Sequence, residues 1–206
     1  MDLKTAIEKR YSVREFSDDT VDQEDIREII RLAGLAPSIN NYQPWKYYII
    51  TNSDILKKMA EGVTREIALL PESSSRMARV VKNQAAWYAT FFVTAPMLIA
   101  LAGKNYESEM EKGVVITQDE LNKLKNYPEL QSAGASIQNL LLAATGMGYG
   151  SCWMTGPLYA KQDLEELLGI QSPWGLISFV AIGKAKDKPS ALRGKRNLAD
   201  EMVIID

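Results

Sequence analysis

One connection decides how this sequence is interpreted: Ala36-Pro37-Ser38-Ile39-Asn40-Asn41-Tyr42-Gln43-Pro44-Trp45. It combines two prolines with three side-chain amides and a serine hydroxyl. Proline fixes its own φ and restricts the residue before it, so the segment is expected to be rigid as well as rich in hydrogen-bonding groups. Taken alone, the pattern fits either a binding loop or a well-made helix-to-strand connection that ends at a tryptophan.

A helix is predicted before this connection and a strand after it. Apolar residues in 22–35, notably Ile26, Ile29 and Ile30, recur with the helical period, and Asp22 is a suitable N-cap. Residues 46–51 are β-branched or aromatic, which is typical of a strand.

Further elements are dispersed along the rest of the chain. We predict helices over 1–10, near 54–62, over 73–92, 129–147 and 160–168, and strands over 96–102, 151–154 and 174–183. This mixed order favours an α+β fold over a regular βαβ series. Without a repeat or a linker, residues 1–206 are expected to form a single domain, with a surface excursion at about 103–128 and an extended C-terminal segment at about 184–206.

The helix predicted over 129–147 has an unusual composition. Residues 132–136 are small, and residues 140–144 are apolar on nearly every side. This pattern favours a helix buried between the core and a second copy of the chain, although a central helix of a large monomer would look alike.

Composition excludes several classes of protein. The chain has 206 residues and a net charge of -2 with no block of like charge, so a general polyanion binder such as a nucleic-acid protein is not indicated. It has no histidine and one cysteine, Cys152, which excludes Cys/His zinc sites, internal disulfides and Ser-His or Cys-His nucleophiles.

The same features predict a cytoplasmic protein. Cysteine usage suggests a reducing compartment, and residues 1–10 lack the pattern of a signal peptide. The longest apolar run, residues 91–102, is short of the roughly 20 residues that span a bilayer, so no membrane partner is expected.

No set of side chains is recognisable as acid–base or covalent machinery, so in an enzyme a bound cofactor would carry the difficult step. Residues 146–150, with three alternating glycines, follow a predicted helix and precede a strand, the reverse of the order in a phosphate loop. Residues 153–157 could present backbone N–H groups to a flat ring, or form an ordinary strand-end turn.

Two basic clusters could hold the phosphate of such a cofactor. They are Lys9-Arg10-Tyr11-Ser12-Val13-Arg14 and Arg193-Gly194-Lys195-Arg196, whose cations and serine hydroxyl match a terminal phosphate. Each also fits a simpler interpretation. The first cluster could be the basic end of a helix, and the second could be a solvated tail.

Together these segments resemble the FMN-dependent nitroreductase family, and the resemblance runs from Arg10 to Arg196. The family's Arg-x-Ser-x-Arg/Lys-x-Phe stands here as Arg10-Tyr11-Ser12-Val13-Arg14-Glu15-Phe16. Its Pro-Ser-x-x-Asn-x-Gln-Pro-Trp stands as Pro37-Ser38-Ile39-Asn40-Asn41-Tyr42-Gln43-Pro44-Trp45. Ile137-Gln138-Asn139-Leu140 with residues 146–153 looks like the family's central helix and following strand.

The resemblance implies an α+β, nitroreductase-like fold with a central mixed, mainly antiparallel sheet wrapped by helices. It also implies an intertwined homodimer with two FMN molecules at the subunit interface. Arg10 and Ser12, with residues 193–196, are expected to hold the phosphate, while Arg14 lies near the ribityl chain or pyrimidine edge. Some contacts are expected to come from the partner subunit. The expected cofactor-binding residues are Arg10, Tyr11, Ser12, Arg14, Pro37, Ser38, Asn41, Gln43, Trp153, Met154, Thr155, Gly156, Arg193, Lys195 and Arg196.

The implied reaction passes a hydride from NADH or NADPH through flavin N5 to a nitroaromatic, a quinone or a similar small acceptor, in a ping-pong cycle. Such chemistry needs orientation and a positive environment rather than a histidine, so no side chain is expected to be catalytic.

A reductive dehalogenase or deiodinase, a non-catalytic flavin carrier or sensor, and a dimer without cofactor remain alternatives. Ser132 departs from the family, because many relatives have an acidic residue there.

Overall fold

The computed structural model describes residues 1–71, 75–106, 113, 115–187 and 202–205. Its helices are α1 Leu3–Lys9, α2 Gln23–Gly34, α3 Ser53–Leu69, α4 Arg76–Thr90, α5 Gln118–Leu124, α6 Pro128–Gly146 and α7 Lys161–Leu168. Its strands are β1 Trp45–Ile50, β2 Met97–Gly103, β3 Gly150–Met154 and β4 Gly175–Gly183, and short 3-10 turns cover Ile39–Asn41, Phe91–Thr94 and Gly156–Ala160. Within these ranges, no helix is both long enough and apolar enough to cross a bilayer.

The strands form one sheet in the order β1-β2-β4-β3, and all neighbours are antiparallel. In β3, for example, Trp153 pairs with Val180 of β4. The outer edge of β3 is covered by the N-terminal segment, where Ser12 forms a parallel bridge to Ser151. The expected mixed, mainly antiparallel sheet is therefore confirmed.

Helices cover both faces of the sheet. Alternate residues of β2 point to opposite sides, so Ile99 packs among side chains of α2 and α6, while Leu98 packs among side chains of α3 and α4. Every residue of β2 is buried. A strand buried on both faces has no polar alternation, which is why residues 96–102 are continuously apolar.

The predicted helix boundaries are largely confirmed where a capping residue marks them. The Asp22 carboxylate accepts hydrogen bonds from the N–H groups of Glu24 and Asp25, at 2.8 and 3.4 Å, and so caps α2. Later in the chain, Gly169 ends α7. Its φ of 65° is a left-handed backbone conformation that favours glycine.

Helix α3 is longer than predicted and continues past residue 62 to Leu69. Glycine lowers helix propensity, but a buried stripe continues on both sides of Gly62 and holds the helix against the core. The stripe consists of Leu56, Met59, Val63 and Ile67.

Part of the expected surface excursion at 103–128 packs into the protein. Tyr106, Leu121 and Asn122 are buried. The Tyr106 ring meets the Tyr42 ring edge-on, with their centroids 5.1 Å apart, so this segment supports the connection before β1.

The start of the C-terminal segment returns to the N-terminal segment. The N–H of Ser17 donates to the carbonyl oxygen of Lys184 at 2.9 Å. The hydroxyl of Tyr11 donates to the carbonyl oxygen of Asp187 at 3.4 Å. The N-terminal segment, which carries one basic cluster, therefore contacts residues 184–187, which begin the segment that carries the other.

Candidate functional site

A recess of about 490 Å³, here the Arg10 hollow, lies between the N-terminal segment, α6 and β3. The backbone N–H of Arg10 ends α1 by donating to the carbonyl oxygen of Ala6. The extended backbone at Arg10 then directs the chain along the edge of β3. The residues that line the hollow are Ile7, Arg10, Ser12, Gln138, Leu141 and Trp153.

The N-terminal segment lies close against β3. The N–H of Val13 donates to the carbonyl oxygen of Ser151 at 3.0 Å. A Cβ on Gly150 would lie 2.6 Å from a methyl carbon of Val13, so a larger residue would displace the segment. Gly150, the last of the three alternating glycines in residues 146–150, thus allows residues 10–14 to lie against β3.

This segment presents positive charge without acidic partners. Within the described ranges, neither Arg10 nor Arg14 has a carboxylate within 4.0 Å. Ser151, bridged to Ser12, is 1% exposed, and its hydroxyl has no hydrogen-bond partner in the described part of the chain. Guanidinium groups that have no carboxylate partner among the described residues, together with serine hydroxyls, suit an anion such as a phosphate.

A second recess of about 290 Å³, here the Arg14 hollow, lies between the N-terminal segment, α4 and the end of β3. Trp153 lines both recesses, so they meet at this residue of β3. The lining residues are Arg14, Ala85, Tyr88, Ala89, Phe91, Cys152, Trp153, Met154, Thr155, Gly156 and Tyr159.

The indole of Trp153 is held in place although it is 44% exposed. Its Nε1–H donates to the hydroxyl oxygen of Ser178, and that hydroxyl donates to the carbonyl oxygen of Met154 at 2.9 Å. The two hydrogen bonds tie the side chain to its own strand and to β4. The wall shared by the two hollows is therefore fixed.

Gly156 allows α4 to approach the end of β3. A Cβ at this position would lie 3.0 Å from both Cα and Cβ of Ala89. This contact is tighter than nine in ten Cβ contacts, so a larger residue at 156 would require α4 to shift by a few tenths of an ångström. The glycine predicted to give access to a ring edge thus also determines the depth of the Arg14 hollow.

Cys152 lines the Arg14 hollow but is 3% exposed. Burial raises the pKa of its thiol above the ordinary 9.0, and the nearby positive charge of Arg14 opposes that shift only in part. The thiol is protonated at neutral pH, which agrees with the absence of a covalent role.

The connection 36–45 is strained and internally bonded. Asn40, Asn41 and Gln43 have positive φ values of 45°, 54° and 50°. Such conformations cost about 1 kcal/mol or more each and persist where surrounding contacts enforce them. Here the Ser38 hydroxyl accepts the Gln43 N–H, and the Asn41 side chain accepts the Gln43 side-chain amide, both at 2.9 Å.

Contacts to other elements anchor the same connection. The N–H of Ile39 donates to the hydroxyl oxygen of Ser132 on α6 at 3.2 Å, and the side chain of Asn40 donates to the Tyr106 hydroxyl. Ser132, which departs from the family pattern, thus has a defined role in this chain.

The structure brings together only part of the residue set predicted from the sequence. Arg10, Ser12 and Trp153 line one hollow, and Arg14, Trp153, Met154, Thr155 and Gly156 line the other. The remaining described residues of the set line neither hollow: Tyr11, Pro37, Ser38, Asn41 and Gln43. Arg193, Lys195 and Arg196 lie outside the described residues.

The sequence interpretation missed Tyr88 and Ala89 on α4 and Gln138 on α6, which all line the hollows. One signal could have pointed to α4: Trp87 and Tyr88 are adjacent aromatic residues, so they cannot both lie on one buried helical stripe. Both are exposed, by 49% and 44%.

A family profile described as Nitroreductase family matches residues 7–184. A putative NADH dehydrogenase/NAD(P)H nitroreductase of Archaeoglobus fulgidus is 30% identical over 87% of this chain and 83% of its own length.

Among solved structures, a BluB-like flavoprotein from Clostridium difficile 630 has a TM-score of 0.89 and 29% identity, with full coverage of both chains. A nitroreductase with bound FMN from Desulfitobacterium hafniense DCB-2 has a TM-score of 0.73 and 20% identity, again with full coverage of both, and shares the fold.

Proposed function

The chain belongs to the nitroreductase family, and on that premise we propose that it is an FMN-dependent oxidoreductase. It would move electrons from NADH or NADPH to a nitroaromatic compound, a quinone or a similar small acceptor. The observation that carries this proposal is the junction of the Arg10 and Arg14 hollows at Trp153. One hollow suits a phosphate and the other suits a flat ring, and FMN contains both.

The residues present fit FMN. Arg10 and Ser12 offer a cation and a hydroxyl to the phosphate. The backbone of Ser12 is bridged to Ser151, whose buried hydroxyl has no hydrogen-bond partner among the described residues. The Arg14 hollow runs along Thr155 and Gly156, whose backbone N–H groups follow the last paired residue of β3. The similarity to a flavoprotein and to an FMN-bound nitroreductase supports the same cofactor.

When bound, FMN supplies the hydride-accepting and electron-donating chemistry that the side chains of this protein lack. The chain's own residues would bind the cofactor, orient it and stabilise its reduced form. Arg14 places a positive charge at the hollow where negative charge would accumulate on reduction, and Trp153 forms part of the wall. The protonated thiol of Cys152 needs no part in the reaction.

We further propose that Pro37, Ser38, Asn41 and Gln43 serve the site of a second copy of the chain. They are rigidly held but line neither hollow of their own protomer. Large apolar side chains are exposed around the hollows, including Ile7 on α1 at 53% and Trp87 on α4 at 49%. An interface that covers them would place the rigid connection of one protomer near a hollow of the other.

The basic cluster near the C-terminus would complete the phosphate site. Tyr11 bonds to Asp187, which brings the start of that segment beside the residues that hold the phosphate. Arg193 follows Asp187 by six residues, a span of up to about 20 Å in extended chain. This chain length would allow Arg193, Lys195 and Arg196 to serve the Arg10 hollow.

The spectrum of the purified protein before and after anaerobic addition of NADH or NADPH tests the proposal. We expect a flavin band that either nucleotide bleaches and that a quinone or a nitroaromatic restores. If donor and acceptor use the same hollow in turn, reciprocal plots of initial rates give parallel lines, as in a ping-pong cycle.

Other results would contradict the proposal. Protein that neither contains nor binds FMN would exclude a flavin enzyme. Bound flavin that neither nucleotide bleaches would favour the carrier or sensor. Turnover only with an iodinated phenol would favour reductive deiodination.

A further inference from the structure

A larger cavity, of about 1000 Å³, lies at the end of the sheet where β1 and β4 begin and β2 ends. We call it the Lys104 cavity. Its walls include Tyr42, Lys104, Tyr127, Glu129 and Trp174. It shares no lining residue with the Arg10 or Arg14 hollow, so the flavin-binding hollows proposed in the same protomer do not account for it. Its volume is at the upper end of the range of small-molecule sites, roughly 300–1,000 Å³.

The positive charge of Lys104 lies between aromatic rings. Its ammonium nitrogen is 4.6 Å from the centre of the Tyr42 ring and 5.3 Å from that of Trp174. Within the described residues, it has no carboxylate within 4.0 Å. The neighbouring Lys161 differs, because it pairs with Glu165 at 3.7 Å. Lys104 thus remains available to an anionic group, and two ring faces border it.

Glu129 is the second unexplained group of this cavity. The residue lines the cavity, yet it is only 4% exposed. Its Oε2 has no hydrogen-bond partner in the described part of the chain. A buried carboxyl oxygen without a donor is costly, so an unexplained one in a cavity wall indicates a missing donor.

We propose that the Lys104 cavity is a second small-molecule site, which binds an aromatic carboxylate that also carries a hydroxyl or amine donor. The acid group pairs with Lys104, the aromatic body packs against Tyr42, Tyr127 or Trp174, and the donor satisfies Glu129. This inference does not depend on flavin or on turnover.

The probe for this proposal is 4-hydroxybenzoate, titrated by calorimetry into the full-length protein as isolated. Benzoate lacks the donor and phenol lacks the acid group. We expect each of them to bind about tenfold more weakly or worse, because a hydrogen bond to a charged group is lost in each case. This comparison uses the unaltered protein and requires no variant to fold.

Two variants locate the binding. Lys104→Gln is expected to weaken binding of both 4-hydroxybenzoate and benzoate about tenfold. Glu129→Gln is expected to weaken binding of 4-hydroxybenzoate and to leave benzoate unchanged. Lys57→Gln is the matched control, because that exposed lysine pairs with Asp54 away from the cavity.

Amide shifts in the isotope-labelled protein separate this site from the flavin site. We expect 4-hydroxybenzoate to shift the amide signals of Gly103 and Gly175, which line the cavity. Shifts at Thr155 and Gly156 instead would assign the probe to the flavin site and overturn the proposal. The proposal is also overturned if 4-hydroxybenzoate does not bind, or if it binds Lys104→Gln and Glu129→Gln as tightly as the unaltered protein.

Discussion

The guanidinium carbon of Arg14 lies 5.5 Å from the centre of the Tyr88 ring, so an arginine of the N-terminal segment rests on an aromatic residue of α4. Trp87 packs edge-on against Tyr88, with a centroid separation of 4.8 Å, and limits the movement of that ring. The contact joins two walls of the Arg14 hollow. It places the charge of Arg14 where we propose that the flavin ring binds.

Replacing Tyr88 by leucine is therefore expected to weaken FMN binding. A cation–π contact at a partly exposed position contributes about 0.5–1 kcal/mol, which corresponds to a two- to fivefold change in affinity. The reduction potential of the bound flavin should also fall, because a less well positioned Arg14 stabilises the reduced ring less. Tyr88→Phe keeps the ring and is expected to behave as the unaltered protein in flavin titration and potentiometry. Equal losses in both variants would argue against a role for the ring face.

Arg10→Ala is expected to reduce FMN affinity at least about tenfold, since charge-assisted hydrogen bonds contribute about 1.5–3 kcal/mol. Riboflavin lacks the phosphate, so its affinity should not change. Lys9→Ala is the matched control, because Lys9 is the adjacent cation and does not line the hollow. An equal loss of affinity for FMN and riboflavin would show that Arg10 does not bind the phosphate.

Ser132→Ala is expected to destabilise the protein by about 1–2 kcal/mol and to lower turnover, because the Ile39 N–H loses its acceptor. Thr145→Ala is the matched control on α6. Thr145 also donates to the carbonyl oxygen four residues earlier, as Ser132 does, but it does not contact the connection 36–45. Urea unfolding and NADH turnover measure the two effects. If both variants lose the same stability and neither loses turnover, Ser132 does not position the connection.

Cys152 predicts how stability changes in alkaline solution. Burial raises the pKa of the folded thiol above the ordinary 9.0, so the unfolded chain loses this proton at a lower pH than the folded protein. The buried, protonated thiol contributes fully to the free energy of unfolding below the pKa that it has in the unfolded chain. This contribution is lost as the pH rises through the higher pKa that it has in the folded protein. Between pH 8 and 10, we expect the unaltered protein to lose more stability than Cys152→Ala.

The same variant tests the chemistry. Cys152→Ala should retain NADH turnover, because the reaction needs no thiol. A folded variant with normal flavin content but no turnover would contradict that assignment. Parallel stability curves for the two proteins would instead contradict the raised pKa.

Sequence patterns were sufficient to place the end of a helix where a nearby residue determines it. Asp22 caps α2 as predicted, and Gly169 ends α7, because each acts on hydrogen bonds within a few residues of itself. The end of α3 was placed too early because Gly62 weakens the local signal. The buried contacts that extend α3 to Leu69 come from residues distant in sequence.

Some residues of the candidate site were also found from the sequence, and others only from the structure. Residue types alone marked the cluster around Arg10 and Ser12 as one that could hold a phosphate, since cations and hydroxyls recognise that group. The family resemblance then assigned it that role. Tyr88 and Gln138 were not assigned to the site, because the adjacent aromatics on α4 and the residue types on α6 do not show which side chains face a recess. Their role depends on how α4 and α6 pack beside β3.

By itself, the amino-acid sequence determined the family, the α+β class, and the exclusion of mechanisms that use histidine or a disulfide, because these follow from residue types and short-range order. Only the tertiary structure decided that the two hollows meet at Trp153, that the strained connection 36–45 lies outside both of them, and that Lys104 and Glu129 line a separate cavity. Such relationships arise from packing between residues far apart in the chain, and no local pattern encodes the distance between them.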